Sequence, residues 1–207
     1  MPLQYDDSVF INCPFDDDYL PIFEAIVFVT YDAGFIPRSA LEIKDSSVNR
    51  LEKILNLISD CKHSIHDISR TELDPVNLLP RFNMPLELGI FLGCKEFGSR
   101  KHKSKSCLIL DRTKYRFQKF ISDIAGQDIE AHNNSPKKAI IIVRDWLRVQ
   151  SKRTNMPGGS TIYKRYSQFK RDLPLICEEL RLEVSELHYV DFSHVVTEWL
   201  KSNPLKP

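Results

Sequence analysis

The sequence predicts an α/β fold: a mostly parallel sheet covered by helices on both faces, followed by a C-terminal helical segment. Three observations lead there. Short β-branched runs alternate with segments of helical periodicity through the first 150 residues, the pattern of consecutive βαβ units. The run Lys105–Asp111, KSCLILD, is continuously apolar in its centre, as strands buried on both faces are. The stretch Thr154–Ser160, TNMPGGS, breaks any helix, and only helical patterns follow it. The chain therefore divides into an α/β unit over residues 1–150 and a helical extension over 151–207 that packs on it.

Taken in order, Ser8–Cys13 (SVFINC) reads as the first strand. Residues 17–33 place Leu20, Phe23, Ile26, Val27 and Tyr31 at helical spacing, and Gly34 stops that helix. Phe35–Ile36–Pro37 is a short strand. Residues 47–60 put Val48, Leu51, Ile54, Leu55 and Ile58 on one helical face, and 63–68 (HSIHDI) form a third strand. Residues 86–97 are helical and 105–111 extended. Residues 137–149 form a helix with Ile140, Ile141, Val143, Trp146 and Leu147 inward. Beyond the break, Ile162–Leu182 reads as a helix interrupted near Pro174, and 191–202 as a final helix.

The 207 residues carry 29 Lys and Arg against 28 Asp and Glu, for a net charge of +1. Duplex-DNA binders carry a larger basic excess, so composition argues against nucleic acid as the partner. No apolar run reaches membrane-spanning length, and MPLQYDDS has acids where a signal peptide needs bases. The five cysteines, at 13, 61, 94, 107 and 177, show neither CxxC nor Cys/His metal spacing. They read as reduced, mostly buried thiols of a cytoplasmic protein with no metal site. Charge is uneven: residues 99–119 hold eight basic side chains against Asp111 alone. That run is either a solvated loop or a phosphate-steering patch.

Parallel sheets bind ligands outside the carboxyl ends of their strands, so the residues just after each strand are the candidates. In FINCPFDDDY the loop Asn12, Cys13, Pro14 and Phe15 faces that crevice, and Asp16–Asp18 complement the helix start. In HDIS, Asp67 and Ser69 end the third strand, where an acid accepts ribose hydroxyls or closes an Asx-type turn. His63 and His66 fall on opposite strand faces and make a poor metal pair. In FNMPLELG, Asn83 suits an N-cap, Pro85 the first turn, and Glu87 lies in that turn, where the helix dipole favours the ionised carboxylate. Such a carboxylate can attack an anomeric carbon or stabilise an oxocarbenium ion; a glutamate there also serves simply as a cap. Gly89 and Gly93, four apart, allow close packing of that helix on the sheet. FISDIAGQDIEAH, residues 120–132, is dense in polar groups; it reads as a capped turn or as a wall over the crevice with Asp128 and His132 in the pocket. No P-loop and no G-x-G-x-x-G occurs.

Together VFINCPFDDDY, GFIPR, IHDIS and FNMPLELG resemble the nucleoside 2-deoxyribosyltransferase-like superfamily and the bacterial TIR-like domains related to it, over residues 8–111. RFNMPLELG with SDIAGQD also resembles a bacterial subgroup of that kind. The resemblance implies a flavodoxin-like sheet. In the transferases a glutamate opening the helix before the fourth strand attacks the sugar, and TIR NADases use one at an equivalent place; the matching residue is Glu87. An acid after the third strand helps hold the sugar there, and Asp67 is its match. Met84–Pro85 stand where the transferases have a small pair, and neither 120–132 nor the chain beyond 150 matches. The implied activity is cleavage or transfer at the N-glycosidic bond of a nucleotide or nucleoside. NAD is then a substrate, no cofactor is needed, and a role in antiviral defence or signalling follows. The alternatives are a nucleotide-sensing module and a TIR-like interaction module, with a second copy or an effector as partner.

Overall fold

A computed structural model describes residues 5–73, 78–151 and 153–205. Five strands form one all-parallel sheet: β1 (Ser8–Asn12), β2 (Ile36–Arg38), β3 (His63–Asp67), β4 (Ser106–Asp111) and β5 (Ile129–Ala131), in the order β2-β1-β3-β4-β5. This is the flavodoxin-like order, whose switch point lies between β1 and β3. The helices are α1 (Leu20–Asp32), α2 (Arg50–Asp60), α3 (Asn83–Phe97), the single turn α4 (Arg100–Lys103), α5 (Pro136–Ser151), α6 (Gly159–Leu180) and α7 (Tyr189–Ser202). Among the described residues no helix is long and apolar enough to cross a membrane.

Alternation along each strand divides the core. Val9, Ile11, Ile65, Leu108 and Leu110 face α1 and α5. Phe10 faces α2 and α3, and Ile109 packs with Leu88 of α3. His63 and His66 obey the same rule. The ring of His63 meets Phe35 and Trp146, whereas that of His66 meets Phe10 and Phe91. Burial drives both imidazoles toward the neutral form, with pKa values of about 4 for His63 and about 3 for His66.

Helices α6 and α7 add a further layer outside α1 and α5. Helix α1 is consequently covered on almost every side: Ile22, Phe23 and Ala25–Thr30 are all buried. Phe28 is in ring contact with Tyr166 and Phe169 of α6 and Trp199 of α7. One continuous apolar cluster runs from Val9 to Trp199. At about 25 cal/mol per Å² of apolar surface, such aromatic contacts dominate the attachment of the extension.

Several local expectations change. Helix α6 is not interrupted at Pro174. The proline is exposed, so the Lys170 carbonyl it leaves unbonded meets water, while Phe169, Leu173 and Cys177 hold the helix from beneath. Gly89 and Gly93 do not face the sheet; the space a Cβ would occupy at each is open. Leu51 and Leu55 are exposed, and α2 buries Ile54, Leu57 and Ile58 instead. The segment 120–132 contains the edge strand β5. All five cysteines are free thiols.

Candidate functional site

The carboxyl end of the sheet holds two polar groups, one on each face. On the α1 face, Asp67 ends β3 fully buried. Its Oδ1 accepts the Ser69 amide at 2.8 Å, an Asx turn that closes the strand. Its Oδ2 accepts the Tyr19 hydroxyl at 2.7 Å and lies 3.0 Å from His132 Nε2. The His132 contact is within ion-pair distance but lacks the alignment of a hydrogen bond, so Nε2 is left without a hydrogen-bond partner. Burial first, and the neighbouring Asp67 charge second, push the Tyr19 phenol well above its usual range, so it stays a donor.

The sequence AHNNSP explains how His132 is held. After β5, Asn133 and Asn134 adopt left-handed φ of 53° and 54°, which asparagine tolerates better than other side chains. The turn brings the Asn134 amide to His132 Nδ1 at 3.1 Å. Nδ1 is then an acceptor, which leaves Nε2 as the nitrogen that faces Asp67.

On the α3 face, Asn12 Nδ2 donates to His66 Nδ1 at 2.9 Å and to the Met84 carbonyl at 3.1 Å. His66 Nε2 donates to Ser64 Oγ at 2.6 Å, and that hydroxyl reaches the Phe10 carbonyl. Asn12 therefore bolts β1 to β3 and to the start of α3. Asp111, in phase with Ile109, accepts Arg116 Nε at 2.8 Å and the Arg112 amide at 2.6 Å, while its buried Oδ2 is unpaired. Burial raises its pKa more than anything else acting on it, and Asp67 adds to this, against the lowering effect of Arg116.

Glu87 belongs to this second face, but not as a first-turn residue. Phe82 is the N-cap of α3, Asn83 is exposed at the first position and makes no cap, and the first turn holds no acid. Glu87 lies one turn further in, where the dipole is weak. It is 6% exposed and makes no hydrogen bond or ion pair among the described residues. Burial raises its pKa from 4.5 to about 7, opposed only by Arg50 at the start of α2. The expectation that the helix dipole favours the ionised carboxylate is thus reversed: desolvation outweighs the dipole.

Cys13 lies where the two groups meet, and its buried thiol feels both Asp67 and Glu87. Burial is the larger cause of a pKa pushed well above 9, so the thiol remains protonated and is no nucleophile. The fold thus gathers Asn12, Cys13, Asp67, Ser69, His132 and Glu87 at one end of the sheet, with Asp67 and Glu87 on opposite faces. Pro14 and Phe15 turn away toward α7 and line a separate cavity. Asp128 is exposed before β5 and joins neither group. Tyr19, Arg116 and His66 are absent from the sequence-derived candidates. Asp111 follows the same strand-end rule as Asp67, whereas nothing in its spacing marks Tyr19 as other than a core aromatic.

Two charged cavities open elsewhere on the surface, and Glu87 lines neither. One of about 420 Å³ lies at the β1/β3 switch point, among Asp16, Asp17, Asp18, Arg70, Glu72 and Arg81. Arg70 there donates to Asp16 at 2.8 Å and lies 3.2 Å from Asp18. The other, of about 470 Å³, is lined by Lys44, Arg50 and Lys53 with Asp45 between them. Among the described residues no group of three or more His, Cys, Asp or Glu side chains is placed to hold a metal ion.

Comparison with protein families, curated proteins and solved structures finds no match to this chain. Function has to be argued from the site.

Proposed function

We propose that the protein cleaves or transfers the N-glycosidic bond of a nucleotide, with NAD the leading substrate and Glu87 the reacting carboxyl. One observation carries this reading. Of the three buried acids at the carboxyl end of the sheet, Asp67 and Asp111 are held by named partners, whereas Glu87 makes no hydrogen bond or ion pair among the described residues. An unpaired buried carboxyl costs stability and persists at sites where it is used.

A pKa of about 7 leaves roughly half of Glu87 ionised at neutral pH. The ionised form can add to the anomeric carbon, or stand beside the oxocarbenium ion as the base leaves. A pyridinium base departs as a neutral molecule and needs no proton, so a single carboxylate serves. Water then takes the anomeric carbon and gives up its proton to Glu87 or solvent. This requirement ranks NAD ahead of a purine nucleoside, whose base needs a general acid. The Lys44, Arg50 and Lys53 cavity, on the Arg50 side of Glu87, offers cations for a pyrophosphate.

The test is to incubate the full chain with NAD and follow nicotinamide release. Glu87→Gln should lower the rate by about 10² or more, the scale of losing one major electrostatic group. Turnover unchanged in the variant overturns the assignment.

A second reading has an observation of its own. Asp67 is sealed, with Tyr19, Ser69 and His132 around both oxygens, and so offers no free acceptor to a ribose. The site would then hold a nucleotide without turning it over. Thermal stabilisation by NAD with no nicotinamide released would favour this sensing role, since a ligand of the folded state raises apparent stability.

A further inference from the structure

We propose that the cavity between Phe15 and helix α7 is a binding site for a small organic cation. It is separate from Glu87, which does not line it, and stands whether or not the glycosidic reading does. The cavity measures about 160 Å³, close to the roughly 150 Å³ that suffices for a benzene-sized guest.

Its walls are aromatic. Phe15 meets Phe23 edge to face at 5.6 Å between centroids, and Phe23 is tilted by 35° to Tyr189 at 5.8 Å. Phe192 completes the wall. Leu20, Leu41, Val184 and Leu187 line it as well. The Tyr189 hydroxyl is spent on the Pro37 carbonyl at 2.7 Å, which fixes the ring and leaves it no polar role in the cavity. Phe15 is 40% exposed, so its ring closes the cavity on the solvent side.

The rim is acidic. Asp16, Asp17 and Glu24 border the cavity, and no Lys, Arg or His does. Asp16 is paired with Arg70 and Glu24 with Lys170 at 2.7 Å. Asp17 has no ion pair among the described residues, so on this side the rim carries acids in excess of bases. Aromatic faces joined to an unpaired carboxylate select a cation with an apolar shell, as in cages for quaternary ammonium groups. An inorganic cation would lose its hydration to carbon walls, and an anion would meet Asp17. The extension contributes Tyr189, Phe192 and the 184–187 turn, so the site exists only when both parts of the chain are assembled.

The test uses choline and 3,3-dimethylbutan-1-ol, which share size and shape and differ by the charge at the central atom. Both are titrated into the full chain while the backbone amides of residues 14–24 and 184–192 are followed by NMR. Choline should bind about tenfold more tightly than the alcohol, the scale of one partly desolvated cation–π contact. Asp17→Asn should weaken choline severalfold while leaving the alcohol nearly unchanged, and Phe15→Ala should weaken both probes, choline the more. Equal affinity for the two probes would reduce the cavity to an apolar hole and overturn the proposal. So would an absence of shifts with choline at millimolar concentration, or shifts confined to other parts of the chain.

Discussion

Glu87→Gln separates a desolvated carboxyl from a helix cap by the sign of its effect on stability. In the unfolded chain the group ionises near 4.5, and in the folded chain near 7. Between those values the folded state binds more protons than the unfolded one, so stability falls as pH rises through that window. Each tenfold change in proton affinity is worth about 1.4 kcal/mol, so the full cost of ionising the buried group is about 3 kcal/mol. Water reaching the part of the carboxyl that is open reduces this to about 2 kcal/mol. Glutamine has the same shape and no charge to desolvate. The variant should therefore match the wild type near pH 4.5 and exceed it by about 2 kcal/mol at pH 8. Urea unfolding of both proteins at pH 4.5, 6 and 8, with equal m-values, measures the difference. A helix cap behaves in the opposite way, losing about 0.5–1 kcal/mol on neutralisation at pH 8. A stability difference that does not change with pH, or that favours the wild type at pH 8, refutes the burial argument.

Other outcomes follow from the same structure. Asp67→Ala leaves Tyr19, Ser69 and His132 facing an empty buried space, and should cost about 3–5 kcal/mol in chemical unfolding. Tyr19→Phe removes one hydrogen bond to that carboxylate and should cost about 1.5–3 kcal/mol. Gly34 has φ of +80°, and an added Cβ would lie 2.7 Å from the Arg153 guanidinium; Gly34→Ala should lower stability by about 1–2 kcal/mol in thermal melts. A chain ending at Ser151 uncovers Phe28 and its neighbours, and should elute from size exclusion as aggregate; a monodisperse, cooperatively melting product would contradict the shared core.

Much of this architecture is legible in the residues themselves. Ser8–Asn12, His63–Asp67 and Ser106–Asp111 announce buried strands because both their faces are apolar or internally hydrogen-bonded. The opposite orientation of His63 and His66 follows from parity alone. The strand β5 escapes because three residues, Ile129–Ala131, carry too little period to stand out from a polar loop. Pro174 misleads because the burial of Phe169, Leu173 and Cys177 beneath α6 offsets the hydrogen bond that the proline removes. At the site, the strand-end rule finds Asp67, Asn12 and His132. It cannot tell a carboxylate that holds the fold from one that is free to react. That distinction depends on Tyr19 and the Asn133–Asn134 turn, which reach Asp67 only in three dimensions. For Glu87 the helix start differs from the expected one by a single residue, and it is burial that converts an apparent cap into a desolvated acid.

Helix α1 is the first helix of the chain, yet Phe28 finds its ring partners at Tyr166, Phe169 and Trp199, near the other terminus. During synthesis, at about 5–20 residues per second, this greasy cylinder waits on the order of 10 s for those partners to leave the ribosome. Once β5 has emerged, the nascent α/β unit has its sheet but lacks one wall. Apolar surface on residues 22–30 is thus exposed for a time and covered when α7 docks. Any lesion that delays the last 50 residues, even one far from the sheet, acts on the earliest part of the fold.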